Sequence, residues 1–402
     1  MAHPRPGETA RSVGDVTVVI PVRDRADGLA VTLQKIGSVD TIVVDDGSSD
    51  DSVAHAVDGG GVTMLRNEHA LGPAAARNVG WRHATTELVA FLDAGCEPAD
   101  DWLERLLPHF DDTVVGAVAP RITTTIPTTL PPALARYEEA RPSLDRGGQE
   151  ATVRPRSPVP FVPTAALVVR RQLLAQTGGF DERMRFGEDV DLVWRLVAAG
   201  WTVRYEPATA VAHPARPTGR AWLRQRFDYG TSAAPLARRH GSAVAPLAVS
   251  PWSALAWALV GMGEPVAGCA VGAGTTALLA PRLAGLQHPG VEALRLAGKG
   301  HLYAGLSVAV ATRRAWWPLA AVAGVMFRRA RPALVAAATV PALLEWCRRR
   351  PALDPARWAA VALIDDAAYG AGLWVGCLRE RSLVALRPDL VLWPGRRPAV
   401  ES

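Results

Sequence analysis

At 402 residues the chain exceeds the size of a typical single domain, so two structural units are expected. Its basic residues are almost all Arg, with Lys only at Lys35 and Lys299, and a formal net charge of +5 suits a membrane surface or a phosphate-bearing ligand rather than a nucleic-acid binder. Cys96, Cys269, Cys347 and Cys377 lack CxxC spacing, so the cysteines indicate neither a disulfide framework nor a zinc site.

Residues 1–14 read as a polar tail without the apolar stretch a signal peptide needs, so the catalytic part is expected in the cytoplasm. From 15 to 230 short β-branched runs alternate with helical patterns. VTVVIPV (16–22) predicts a buried strand and 25–36 a helix with Leu29 and Leu33 on one face. TIVVDDGSSD predicts a second strand ending in acids, and 50–57 a helix. VTMLRN is a third strand, 73–84 a helix and ELVAFLD a fourth strand. That alternation implies a mostly parallel sheet wound by right-handed crossovers, with ligands at the carboxyl ends of its strands. Asp45, Asp46 and Asp93 fall at those ends.

Between 121 and 163 the composition turns to Thr, Pro and Arg, which predicts a mobile lid or acceptor loop around a short helix at 133–140. FVPTAALVVRR then reads as a strand. From 231 to 402 the chain becomes rich in Ala, Leu, Val and Trp, and eight of its 13 Trp lie from Trp252 onward. The uncharged run 244–263 reaches the roughly 20 residues that cross a hydrocarbon core, and 265–280 follows it as a second arm. Arg238, Arg239 and Arg282 flank a hairpin with both ends cytoplasmic. The later apolar segments, including 358–377 with Asp365 and Asp366, are predicted to be interfacial or broken helices. A helical domain with buried Ala-rich helices reads the same way.

Three acidic clusters carry the chemistry. VVDDGSSD places two carboxylates before Gly47, which lets the chain turn sharply; read alone it is also an ordinary strand, turn and Asp N-cap. LGPAAARNVG offers Arg77 and Asn78 early in a helix, where backbone donors and a guanidinium meet a diphosphate. GEDVDLVWRL sets Glu188, Asp189 and Asp191 in a first helical turn, where acids are dipole partners unless the turn faces the strand-end cleft. Facing it, one carboxylate can take the proton of an attacking hydroxyl.

Taken in order, VTVVIPVRDR, TIVVDDGSSD, GPAAARNVG, VAFLDAGCEP, GGFDE and GEDVDLVWRL resemble the inverting family-two glycosyltransferases with the GT-A fold. The resemblance implies an α/β, Rossmann-like, mostly parallel sheet flanked by helices, followed by an α-helical hydrophobic C-terminal region. It implies a nucleotide-sugar donor, most often UDP-linked, bound at Pro21, Asp45 or Asp46, Arg77, Asn78 and Asp93. Asp189 is implied as the base, with Glu188 and Asp191 as supporting acids, and a divalent cation (Mg or Mn) at the Asp93 motif. GTSAAPLARRH, RRAWWPLA and IDDAAYGAGLWVGCLRERSLVALRP look like the mycofactocin biosynthesis glycosyltransferases. That narrower resemblance implies transfer of glucose units from UDP-glucose, as a β-linked chain, onto the small peptide-derived precursor premycofactocin, and association with the cytoplasmic face of the membrane.

One position departs from the pattern. The acid expected after Asp93 is Gly95, which should weaken the cation site. In an extended segment residues 93, 95 and 97 project to one side, so Glu97 would supply the missing oxygen, and His213 in VAHPARP is a further candidate ligand. A non-catalytic nucleotide-sugar-binding scaffold with a degenerate metal site, or a transferase acting on a lipid or envelope glycan, remains open. No GxxxxGK[ST] loop supports nucleotidyl transfer.

Overall fold

The computed structural model describes residues 11–57 and 61–391, so most of the polar tail lies outside the described residues. The chain divides into two compact units between Trp222 and Leu223.

The first unit alternates β1 (Val16–Val22), α1 (Ala26–Ile36), β2 (Thr41–Asp45), α2 (Ser52–Val57), β3 (Val62–Arg66), α3 (Pro73–His83) and β4 (Leu88–Leu92). It continues with β5 (Glu97–Pro98), α4 (Trp102–Leu106), β6 (Val115–Thr125), α5 (Pro132–Ala140), β7 (Ala151–Thr152), β8 (Ala166–Arg170), α6 (Arg171–Thr177), α7 (Glu188–Ala198) and β9 (Thr202–Pro214). The sheet runs β3-β2-β1-β4-β8-β6-β9-β5, with β7 also paired to β9. β1, β2, β3 and β4 are mutually parallel, as are β6 and β9, while β8 lies antiparallel between β4 and β6. This is the mostly parallel, helix-flanked GT-A sheet. Val16, Val18, Val19 and Ile20 are fully buried because both faces of β1 are covered. α3 lies so close to β1 that a Cβ on Gly80 would stand 2.3 Å from Val19 Cγ1.

One expectation is corrected here. The run expected to start a loop at 121 is the second half of the 11-residue strand β6, aligned along β9 from Val115 to Thr125. In the segment behind it Asp145 accepts two hydrogen bonds from Arg121, at 3.0 and 2.7 Å, Trp222 donates to Glu138, Trp194 donates to the Pro160 carbonyl, and Tyr205 donates to the Gly147 carbonyl.

The second unit is helical. α8 (Gly219–Thr231) contains the unit boundary; α9 (Ala233–His240), β10 (Ala248–Val249), α10 (Pro251–Gly261), α11 (Pro265–Leu279), α12 (Pro289–Ala293), α13 (Lys299–Arg314), α14 (Trp317–Met326), α15 (Arg331–Arg349), α16 (Pro355–Arg379) and β11 (Asp389–Leu390) follow. At 11 residues α10 covers only about 16 Å, short of a hydrocarbon core, so the first arm of the expected hairpin is not one spanning helix. Conversely 358–377 is unbroken within the 25-residue α16. By length and composition Pro265–Leu283 and Pro355–Arg379 are able to cross a membrane, and almost none of the former is buried. α8 and α16 pack backbone to backbone: a Cβ on Gly230, Gly372 or Gly376 would lie 2.0, 1.9 or 2.6 Å from the carbonyl oxygens of Tyr369, Phe227 and Thr231.

Candidate active site

The carboxyl ends of β1, β2 and β4 open together. There the turns after β1 and β2 and the Asp93 turn line a cavity of about 650 Å³, with Asp24, Arg25, Ser49, Gly95, Glu97 and Pro214 in its wall. That size suits a ligand of nucleotide dimensions. Asp24 adopts a left-handed φ of 51° and accepts from Ser49 N and Oγ at 2.7 and 2.9 Å, bonds that hold its carboxyl below the usual range. Pro21, half-buried near the end of β1, pairs with Val44 of β2 and has no partner on β4, whose ladder with β1 ends at Val19.

The strand-end acids are spent on their own turn. Asp45 is fully buried and accepts from Ser48 N and Oγ at 2.9 and 2.6 Å, with Arg66 3.5 Å away. Asp46 accepts from Asn67 Nδ2 and from the backbone N–H groups of Leu71 and Gly72, which sets the entry to α3. Asp45 thereby fixes the turn that carries Ser49 into the cavity wall.

Arg77 and Asn78 are likewise committed inside the protein. Arg77, 4% exposed, donates to Asp93 Oδ1 at 2.7 Å and to Glu188 Oε1 at 2.8 Å. Asn78 donates to the Phe180 carbonyl and Glu182, and accepts from Phe180 N and Trp81 Nε1, so its amide has no capacity left for a diphosphate. It pins the GGF turn, whose Phe180 ring lies 5.7 Å from the Arg77 guanidinium. Composition around Arg77 and Asn78 carries no signal for partners more than 100 residues away; the GGF phrase is the one local hint.

The α7 start does face the strand ends. Arg77 joins Asp93 to Glu188, and the Asp93 charge acts on Asp189. Burial first, then the neighbouring Asp189 charge, pushes the Glu188 carboxyl up to about 7, against which Arg77 works only in part. Burial also raises Asp189, opposed by the hydrogen bond from Val190 N (2.8 Å) and by Arg77. Among the described residues no other side chain donates to Asp189. Asp191 is different: fully buried, it accepts from Arg195 Nε at 2.8 Å and anchors α7.

The Asp93 motif is a turn. Cys96 N donates to the Asp93 carbonyl at 3.0 Å and Gly95 has φ 95°, held by a bond from its N–H to Thr32 Oγ1. The extended geometry expected to set Glu97 beside Asp93 is therefore absent. Glu97 instead enters β5, opposite Ala212, and lines the cavity wall. His213 is held below its usual pKa by burial, with the Asp93 charge pulling the other way, so its imidazole stays neutral and ligand-competent. One guanidinium set against the carboxyls of Asp93, Glu188 and Asp189 leaves a negative excess, and the Asp93 side chain is 30% exposed. These features fit a cation held by few protein donors and completed by phosphate oxygens.

The Glycosyl transferase family 2 model matches residues 17–178. The pre-mycofactocin glycosyltransferase of Mycobacterium tuberculosis is 42% identical over 97% of this chain and 85% of its own length. The chain belongs to the family-two glycosyltransferases. Glycosyltransferase AglE of Haloferax volcanii is 28% identical over 54% of this chain and 71% of its own length. A solved structure, the mannosyltransferase PcManGT of Pyrobaculum calidifontis in complex with GDP-Man and Mn2+, superposes with a TM-score of 0.41 at 21% identity, covering 56% of this chain and 65% of that one.

Proposed function

We propose that this family-two glycosyltransferase moves glucose from UDP-glucose, with inversion, onto the peptide-derived precursor premycofactocin and extends it as a β-linked chain. The 42% identity along nearly the whole chain to a pre-mycofactocin glycosyltransferase supports the acceptor. The observation that carries the mechanism is Asp189, which among the described residues has no side-chain donor and sits in a cluster with Asp93.

Inversion needs a base on the acceptor side and charge stabilisation on the leaving-group side. Asp189 takes the proton of the acceptor hydroxyl as its oxygen bonds to the anomeric carbon from the face opposite the diphosphate. The bond from that carbon to the phosphate oxygen breaks, and its electron pair leaves with the diphosphate. Arg77 holds Asp93 and Glu188 in register, Asp191 fixes α7 through Arg195, and Pro21, Asp45 and Asp46 support the strand-end turns against which the nucleotide lies. Asp93 and His213 would hold a divalent cation, which when bound offsets diphosphate charge. The apolar helices α11 and α16 support membrane association through the second unit, on the cytoplasmic face in this reading.

The test is mass analysis of products after purified protein is incubated with premycofactocin and a panel of nucleotide sugars. Products heavier by whole hexose units with UDP-glucose are expected. Nucleotide-sugar binding without any metal-dependent turnover would favour the non-catalytic scaffold that Gly95 also permits.

A further inference from the structure

We propose that His109, Glu150 and Glu206 form a second metal site, suited to Zn2+ and built from none of the cleft residues. The ligand atoms of these three side chains lie within 4.8 Å of one another, the only such group of three His, Cys, Asp or Glu residues among those described.

Three separate segments supply the donors. His109 lies in the 3-10 turn Leu107–Asp111, and its Nε2 stands 2.9 Å from Glu206 Oε2 on β9. β7 pairs antiparallel to β9, with Thr152 opposite Arg204 and Ala151 opposite Tyr205. Carried one residue further, that register sets Glu150 opposite Glu206. Two like charges directly across an antiparallel pair repel, and a ladder of two residues has little to offset that cost. Positive charge between the carboxylates would offset that repulsion. Arg204 supplies part of it, 3.4 Å from Glu150, and is shared with Asp112 at 3.7 Å.

The donors are also oriented for a ligand. Glu206 Oε1 accepts from Ala208 N at 2.8 Å, which fixes its carboxylate and turns Oε2 toward His109. His109 and Glu206 are 18% and 14% exposed, whereas Glu150 is 57% exposed. Two donors are thus held by the fold and the third closes from solvent, leaving the remaining coordination to water. One imidazole nitrogen with two carboxylate oxygens selects Zn2+ over Mg2+ or Ca2+. Bound there, the metal clips the segment before β7 and the 3-10 turn to β9.

The test titrates metal-stripped full-length protein with Zn2+ alone against a chromophoric chelator. Asp93→Asn is the background that removes the expected cleft cation. In that background one equivalent of Zn2+ is expected to bind, weakened at least about tenfold by Glu150→Gln and again by His109→Gln. Zn2+ should also raise the thermal midpoint of the Asp93→Asn protein and leave it unmoved once Glu150→Gln is added. Because Glu150 is largely exposed, Glu150→Gln is expected to fold, so the test stands if His109→Gln does not. Zn2+ affinity and midpoint shift that survive Glu150→Gln unchanged, or no Zn2+ bound in the Asp93→Asn background, would overturn the site. Neither result depends on sugar transfer.

Discussion

Among the adjacent acids on helices of this chain, Glu188–Asp189 in α7 and Asp365–Asp366 in α16 are treated oppositely by their surroundings. In α16 Asp365 is 3.1 Å from Arg226 Nε, and Asp366 is 2.6 Å from Arg313 Nε and 2.8 Å from Arg314, three guanidiniums for two carboxylates. In α7 one guanidinium, Arg77, serves Glu188 and Asp93 and leaves Asp189 with a backbone donor. An excess of cations makes acids structural, since each charge is neutralised where it is buried. A deficit raises their pKa values and leaves one able to accept a proton. The pairs differ in place, at the start of α7 and inside α16, and in the count of arginines within reach.

The sharpest way to break this contrast is to neutralise one acid on each side. Asp189→Asn should lower transfer by about 10²- to 10⁴-fold while keeping donor affinity and the unfolding midpoint, read by nucleotide release and by denaturant titration. Full activity in that variant would remove Asp189 from the mechanism. Asp366→Ala should do the reverse: with Arg313 5% exposed and stripped of its carboxylate, unfolding should become easier by about 3 to 5 kcal/mol. A stable Asp366→Ala protein would mean the α16 cluster is not charge-balanced as argued.

Acidity sharpens the comparison further. Glu188, up to about 7 when folded against an ordinary 4.5, binds its proton more tightly in the folded chain. Its contribution to stability is therefore complete below about 4.5 and lost as pH rises through about 7. Urea midpoints of the parent should fall between about pH 5 and about pH 8, and Glu188→Gln should flatten that slope. The smallest effect belongs to Gly95→Asp. A Cβ there meets nothing closer than Pro214 Cγ at 3.5 Å, so the cost is backbone strain at φ 95°, about 1 to 2 kcal/mol. The cation concentration needed for half-maximal transfer should fall in that variant; no change would show that position 95 does not reach the cation.

What was legible in the sequence follows from local periodicity. Buried β-branched runs announced β1, β2 and β4, and the ordered phrases announced that the start of α7 would meet the strand ends. What stayed hidden depended on distant partners or on one backbone angle. Arg77 reads as a phosphate ligand until Glu188, 111 residues on, takes its second arm. Asn78 reads as a ligand until Phe180 occupies both sides of its amide. Glu97 reads as a substitute for the acid missing at 95 until Gly95 turns the chain. β6 was obscured because its threonines and Pro120 look like loop composition when no neighbouring strand is in view. Its burial is supplied by β8 and β9, which come 40 and more residues later.

The glycine seam between α8 and α16 has a practical consequence. Because Gly230, Gly372 and Gly376 bring main chains together without intervening side chains, the contact depends on fit rather than on expulsion of water, the mode of association that persists in hydrocarbon. Detergent that covers the exposed apolar helix α11 should leave this helix pair closed, whereas one added methyl at Gly372 would have to push the helices apart. Detergents for the full chain can therefore be chosen for its exposed apolar helices without concern for this joint.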